Sequence, residues 1–367
     1  MFQIDRRIFA HFDYIIPLLI IPIISLSFYL VHELYITLAN KQIVYFSTGA
    51  IIFTLFFLFP IRKFIWLIPL IYWLNVILLL SVEIFGVTKL GAQRWLEIPF
   101  INFTIQPSEL MKPALILMLA YLIKTNPPES ERGYEWKEFL KLSIYILIPF
   151  VLILKEPDLG TAMILLFVGF GVLFIIGVRY RIWLTIFGAI ALLAPFVYGN
   201  LHDYQKKRVN DFLAEKPSYH VHQSIIAIGS GGIKGKSKEE ATQTHLKFLP
   251  IATSDFIFAF HIERFGFIGG AVLITIYALL ILHLLMIVLY LKGDYFIQVF
   301  ASSLALLFFF YMAVNIAMTI GYAPVVGLPL PLFSYGGSSF MTFMILIGIL
   351  EHLLAFRFQK NTELLLH

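Results

Sequence analysis

The chain has 367 residues, of which 60% are hydrophobic, 16% aromatic and only 13% charged, and its mean hydropathy is +0.87. Soluble domains are not built this way; the composition is that of a polytopic membrane protein. The absence of cysteine excludes disulfides and thiolate metal sites; the net charge of +5 is modest and its placement along the chain says more than its size, and no nucleic-acid partner is expected.

The first apolar run follows Asp5, Arg6 and Arg7 and lacks a small-residue cleavage site, so it reads as a retained helix. Crossing a hydrocarbon core of about 30 Å takes about 20 apolar residues. Runs that meet this lie at 14–31, 43–59, 64–84, 109–123, 142–154, 160–178, 182–200, 266–291, 296–320 and 339–356. The predicted fold is an all-α polytopic membrane protein, a single transmembrane domain over residues 1–367 with about ten transmembrane helices. A large outer loop, 201–265, falls between the seventh and eighth spans and carries most of the chain's polar sequence.

Orientation follows from the short loops. Arg6, Arg7, Arg62, Lys63, Lys124, Arg132, Lys137, Lys141, Arg179, Arg181, Lys292, Arg357 and Lys360 gather on one side, whereas Lys41 stands alone in the first turn on the other. Both termini are therefore expected in the cytoplasm, with 85–108, 155–159, 201–265 and 321–338 on the outer face.

Four stretches on that face have unusual chemistry. In GAQRWLEIPFINFTIQPSELMK (91–112), Gln106-Pro107-Ser108-Glu109 reads as a helix start, with Ser108 as cap and Glu109 in the positive first turn. Lys112 lies three residues on, along the same helical face, so Glu109 and Lys112 are also a candidate buried pair. Arg94, beside Trp95, suits an anion at the interface. In Lys155-Glu156-Pro157-Asp158-Leu159-Gly160-Thr161, Asp158 either caps the next helix in a solvated turn or helps to hold a cation or pyrophosphate.

The third stretch, Gly229 to Ser237, nearly spells a phosphate-binding loop, but Ser230 stands where the first glycine belongs and the segment is predicted outside. Its glycines are read as permitting close packing or backbone approach to a ligand. The fourth, Gly321 to Ser339, is too rich in proline and glycine for a regular helix and is expected to re-enter the membrane and form a wall. Histidines 220, 222, 245 and 261 lack a metal-binding spacing and read as polar surface residues. Asp255, a lone carboxylate before the apolar Phe256, Ile257 and Phe258, is the candidate for chemistry, with helix capping as the alternative.

GAQRW (91–95), QPSE with Lys112 (106–112), PDLGTA (157–162), QSIIAIGSGG (223–232), DFIFA (255–259), GFIGG (266–270) and PLPLFSYGGSS (329–339) together resemble, in order, the signature of the SEDS family (shape, elongation, division and sporulation proteins). DYQKKRV (203–209) and TQTHLKFLP (242–250) are closer to its elongation branch, the RodA type, than to its division branch. The family often has glutamate where this chain has Ile251, threonine at Ser254 and an acidic residue at Arg264.

The resemblance implies a peptidoglycan glycosyltransferase of the cytoplasmic membrane that polymerises lipid II on the outer face during cell elongation, paired with a class B penicillin-binding protein in the elongation machinery. The family's essential aspartate falls on Asp255, and the substrate-binding set becomes Arg94, Glu109, Lys112, Asp158, Arg208, Gln223, Ser334 and Ser338. Asp255 would take the proton of the acceptor hydroxyl and Arg94, Lys112 and Arg208 would steady the departing pyrophosphate. A divalent cation, magnesium or manganese, held by Asp158 or Glu109 is the one cofactor considered. A transporter that flips a lipid-linked sugar is the alternative, since intramembrane charges and broken helices also serve transport. Gathering of the polar residues at one face, without an inverted repeat, speaks for the enzyme.

Overall fold

A computed structural model describes residues 6–89, 92–98, 103–128, 133–199, 206, 210, 212, 214 and 217–357. Within them the chain is mostly helical. Besides two short helical segments, Arg6–His11 and Thr242–His245, the helices are α1 (Ile15–Leu34), α2 (Ile36–Leu58), α3 (Ile68–Phe85, preceded by a 3-10 turn Ile61–Leu67), α4 (Pro107–Thr125), α5 (Trp136–Lys155), α6 (Leu159–Ile176), α7 (Tyr180–Gly199), α8 (Tyr219–Gly231), α9 (Ile257–Tyr290), α10 (Tyr295–Thr319) and α11 (Gly337–Ala355). Seven helical segments among the described residues are long and apolar enough to cross a bilayer: α1, α2, α3 with its 3-10 turn, α6, α9, α10 and α11. Helices α4, α5 and α7 coincide with the remaining predicted spans; α4 and α5 are the more polar, with Glu109, Lys112 and Lys124 in one and Lys137, Glu138, Lys141 and Lys155 in the other.

Helix ends follow local chemistry. Pro60 holds Phe59 extended and ends α2, and Pro107 opens α4 at the position where its missing N–H costs nothing. Ser108 is not the cap of α4: Gln106 occupies that position, and Ser108 lies buried inside the first turn, accepting from Gln106 Nε2 at 3.1 Å.

Two further expectations are corrected. Outside the helices stands a small antiparallel sheet of β1 (Val87–Lys89), β2 (Ala92–Ile98) and β3 (Phe103–Ile105), in the order β1-β2-β3. Trp95 pairs with Val87 and Leu96 with Ile105, so β-branched and aromatic residues suited to a pleated surface meet across the strands. The segment 201–265 is also not one loop. It contains α8, and α9 begins within it at Ile257, nine residues before the predicted start of that span.

Glycines make this docking possible. A Cβ at Gly231 would collide with Ile262 O, and one at Gly235 (φ 82°) with Arg264 O, so the end of α8 lies directly on the α9 backbone. Gly266 (φ 64°) breaks the helical dihedrals of α9 where it meets Ile233. Fully buried Glu263 accepts from Gln243 N at 2.9 Å and Thr244 N at 3.1 Å, fixing the following turn. Arg264 grips Glu33 of α1 with two hydrogen bonds, Nε to Oε1 at 2.6 Å and Nη2 to Oε2 at 3.1 Å.

The core lies where α10 packs on α4, α6 and α9, and α11 on α2. Residues 322–336 contain no helix, as their prolines and glycines predict, and Leu328, Leu330, Leu332 and Phe333 are buried there as a wall against the bundle.

Candidate active site

Asp255 sits on a turn held from three sides. Ile251 has φ 54°, a left-handed conformation costly for a β-branched residue, so the turn persists only because its surroundings impose it. Tyr335 N donates to Thr253 O at 2.8 Å, Ser334 Oγ to Ser254 O at 2.7 Å, and Asn315 Nδ2 to Asp255 O at 3.0 Å. Asn315 Nδ2 also donates to Leu328 O at 2.7 Å, tying the turn to the irregular wall. Phe256 is the N-cap residue of α9 and no side chain caps this helix, which removes capping as the role of Asp255. Burial beside this apolar wall raises the Asp255 carboxyl above the usual carboxylate range, while the Ser254 hydroxyl and His220 pull it back down.

A second cluster stands at the N-terminal ends of α4 and α6. Lys112 Nζ meets Glu109 Oε1 at 2.5 Å, and both residues are buried. The ammonium also lies 5.0 Å from the centroid of the Tyr311 ring, while Glu109 Oε2 is buried without a hydrogen-bond partner. Asp158 caps α6, its Oδ1 accepting from Thr161 N at 3.2 Å, and its Oδ2 accepts from Gln106 Nε2 at 3.4 Å. Both readings of that turn are thereby qualified: Asp158 is a cap, and it is buried rather than solvated. Arg94, on β2, lies 3.8 Å from Asp158 Oδ1 and donates through Nε to Glu156 O at 3.2 Å and through Nη2 to Pro157 O. Its guanidinium therefore braces the turn instead of standing free for an anion.

One face of α10 joins the two clusters. Tyr311 under Lys112 and Asn315 under Asp255 are four residues apart, one helical turn on the same side. The wall joins them again. A Cβ at Gly160 would stand 2.9 Å from Val326 O, and one at Gly327 would stand 3.7 Å from Asp255 Oδ2. Between the start of α8 and the wall opens a cavity of about 380 Å³ lined by Ser218, His220, Val221, Ile225, Pro324 and Val325 among others.

The other predicted residues divide. Ser334 is buried and acts on the backbone, donating to Ser254 O and accepting from Leu330 N at 2.7 Å. Gln223 is half-buried on α8 and Ser338 is exposed in the first turn of α11. Arg208 lies outside the described residues. His261 is buried between Phe265 and Phe333, contrary to the surface role expected of it, because the helical start at Ile257 turns it inward.

No three histidine or carboxylate groups come together as a metal site among the described residues. Glu109 is already neutralised by Lys112, and Asp158 by Arg94 and two hydrogen bonds, so neither fits a divalent cation. Sequence reasoning missed Asn315 and Tyr311, although polar groups spaced four apart in an apolar span were a readable signal. It also left Glu156 without a role. Glu156 is 3% exposed with neither carboxylate oxygen hydrogen-bonded, and burial, helped by the charges of Asp158 and Glu83, pushes it up to about 8.

The family model for FtsW, RodA and SpoVE, described as "Cell cycle protein", matches residues 5–359. The chain belongs to this family. It is 57% identical over 355 residues to the peptidoglycan glycosyltransferase MrdB of Helicobacter pylori, covering 97% of this chain and 93% of that one. To the protein of the same name from Escherichia coli it is 38% identical over 325 residues, 86% and 85% of the two chains. Among solved structures, a chain of a peptidoglycan synthase complex that coordinates polymerization and crosslinking aligns with a TM-score of 0.82 at 28% identity, covering 95% of this chain and 99% of that one. The rod shape determining protein RodA of Thermus thermophilus aligns with a TM-score of 0.71 at 26% identity, over 95% and 98%. Membership of the SEDS family and the apolar helices make this a multi-pass membrane protein.

Proposed function

We propose that this SEDS protein is a peptidoglycan glycosyltransferase that polymerises lipid II into glycan strands at the outer face of the cytoplasmic membrane during elongation. The observation that carries the reading is Asp255. A half-buried carboxyl with a raised pKa stands on a rigid turn, is not used as a cap, and its turn is tied to α10 one helical turn from the residue that lies under Lys112. The names of the relatives support the same activity.

In this reading Asp255 is the general base. It takes the proton of the acceptor sugar hydroxyl as that oxygen attacks the donor's anomeric carbon, and the bond from that carbon to the pyrophosphate breaks. A single displacement inverts the anomeric centre. A raised pKa makes the carboxylate a stronger base, and a fixed turn keeps it within reach of the hydroxyl. Lys112 is the buried cation best placed to steady the leaving pyrophosphate, and the unpartnered Oε2 of Glu109 is an acceptor for a sugar hydroxyl. Arg94 and Asp158 hold the floor of the site. Arg208, Gln223 and Ser338 remain substrate-contact candidates on the outer side.

The same reading assigns ten membrane crossings, adding α4, α5 and α7 to the seven apolar spans, with both termini in the cytoplasm and 201–265 outside. A class B penicillin-binding protein is the proposed partner, supported by the likeness to a chain of a synthase complex. Purified protein bound to that partner and given labelled lipid II should yield polymer that a gel resolves. Transfer of lipid II across vesicles without any polymer would return the flippase.

A further inference from the structure

Between the end of α8 and the start of α9 the chain is polar in sequence, yet it exposes four large apolar side chains, Ile233, Leu246, Phe248 and Ile251, the first two 69% and 63% exposed. Two lysines, Lys234 and Lys247, are exposed beside them. The backbone imposes part of this display. Lys247 at φ 62° and Ile251 at φ 54° both take the left-handed conformation, unfavourable for any residue with a Cβ, and together they bracket Phe248. A strained β-branched residue that also leaves its apolar side chain in water is doubly costly, so the exposed side chains point to a surface that covers them.

Both turns are fastened at the ends of membrane spans. Phe267 N donates to Gly232 O at 2.8 Å and Ile268 N to Ile233 O at 3.2 Å, where the apolar part of α9 begins and Phe267 and Ile268 are themselves exposed. His245 Nε2 lies 3.3 Å from Glu33 Oε1 in the last turn of α1. Lys247 Nζ lies 5.8 Å from the centroid of the Tyr35 ring, and Tyr35 is the single residue between α1 and α2. A residue that joins two spans stands at a membrane surface, and its neighbour Ile36 is exposed as well. The two turns therefore lie level with the lipid-facing surfaces of α1, α2 and α9.

We propose that these turns form an interfacial anchor: Ile233, Leu246, Phe248 and Ile251 enter the boundary of the hydrocarbon, and Lys234 and Lys247 rest on lipid phosphates. Apolar side chains set beside lysines, with one lysine over a tyrosine ring, suit a layer that is apolar below and anionic above. Lipid surrounds the protein at that level, which favours it over a protein as the covering surface. The anchor bears on the site through Ile251, whose carbonyl accepts from Phe256 N at 3.4 Å, and through Glu263, which ties Gln243 and Thr244 to α9. The turn that carries Asp255 is thereby kept at a constant level relative to the headgroups, whether or not Asp255 is the base.

Spin labels on Ile233→Cys, Leu246→Cys and Phe248→Cys, made singly in this cysteine-free chain, test the anchor, with Glu239→Cys on the exposed loop for comparison. Depth is read from collisions with oxygen, which concentrates in hydrocarbon, and with a water-soluble nickel chelate. The full chain is reconstituted in vesicles of phosphatidylethanolamine and phosphatidylglycerol, with and without its partner, and the unfolding midpoint of each labelled protein is followed. Three separate positions keep the test open if one variant fails to fold. Labels at 233, 246 and 248 should lie about 5–10 Å into the boundary between headgroups and acyl chains, and the label at 239 in water. An oxygen-to-nickel ratio at 233, 246 and 248 equal to that at 239 overturns the proposal, and so does shielding that appears only when the partner is added.

Discussion

Lys112 and Glu109 form the pair on which the N-terminal end of α4 depends, because both charges are buried. Breaking a buried pair by removing one partner costs about 3–5 kcal/mol, since it strands the other charge. Glu109→Gln and Lys112→Met should each lower the unfolding midpoint in detergent sharply, and the exchanged pair Glu109→Lys with Lys112→Glu should regain part of it; additive single effects would show two independent charges. Glu156 works in the opposite sense. A carboxyl whose folded pKa is raised to about 8 takes up a proton on folding, so the stability it contributes is complete below its unfolded value and is lost as pH rises through 8. Glu156→Gln should therefore stabilise the protein at pH 8.5 relative to wild type by about 2 °C or more in midpoint, with a smaller gain at pH 5. An equal gain at both values would mean that Glu156 is ionised throughout.

The elements near the site show why part of it was legible. The Glu109–Lys112 pair follows from helical spacing alone, and the cap at Asp158 from turn chemistry, because both are local. The glycines of 229–235 were read as packing sites, and Gly231 and Gly235 do lie on α9. Nonlocal partnerships were invisible. Arg94 reaches Glu156 and Pro157 across more than sixty residues, so its role as a brace could not be read from the residues beside it. Asn315 shares its amide between Asp255 O and Leu328 O, and only folding brings those carbonyls together. Asn315→Ala leaves both without their donor, at about 1–3 kcal/mol each, and loosens the turn that carries Asp255. A displacement of about an ångström there would lower the polymerisation rate roughly 100-fold while the fold survives. A rate within twofold of wild type would show that the turn is held without this amide.

At the scale of the molecule, hydropathy placed the seven apolar spans found among the described residues but misjudged the polar segment 201–265, because the start of α9 mixes Glu263 and Arg264 into a helix whose partners, Thr244 and Glu33, lie elsewhere in the chain. Sheet β1-β2-β3 was missed for a related reason: its strands are short, and their pairing is set by neighbours rather than by a long alternating run. Orientation is testable directly. In this chain without cysteine, a cysteine introduced at position 210 or 240 should react with an impermeant thiol reagent in intact cells, and one at position 130 should react only after lysis. Labelling at 130 in intact cells would invert the assignment and place Asp255 on the wrong side for a lipid substrate presented outside.

The central claim is that Asp255 takes a proton, and the most direct measurement is polymer formed from labelled lipid II by Asp255→Asn, with binding of lipid II and the unfolding midpoint followed on the same sample. Asparagine keeps the size and hydrogen-bonding capacity of the side chain but cannot serve as a base, so binding and midpoint should stay near wild type while polymer disappears. Polymer at near wild-type rate from a folded Asp255→Asn protein would contradict the account.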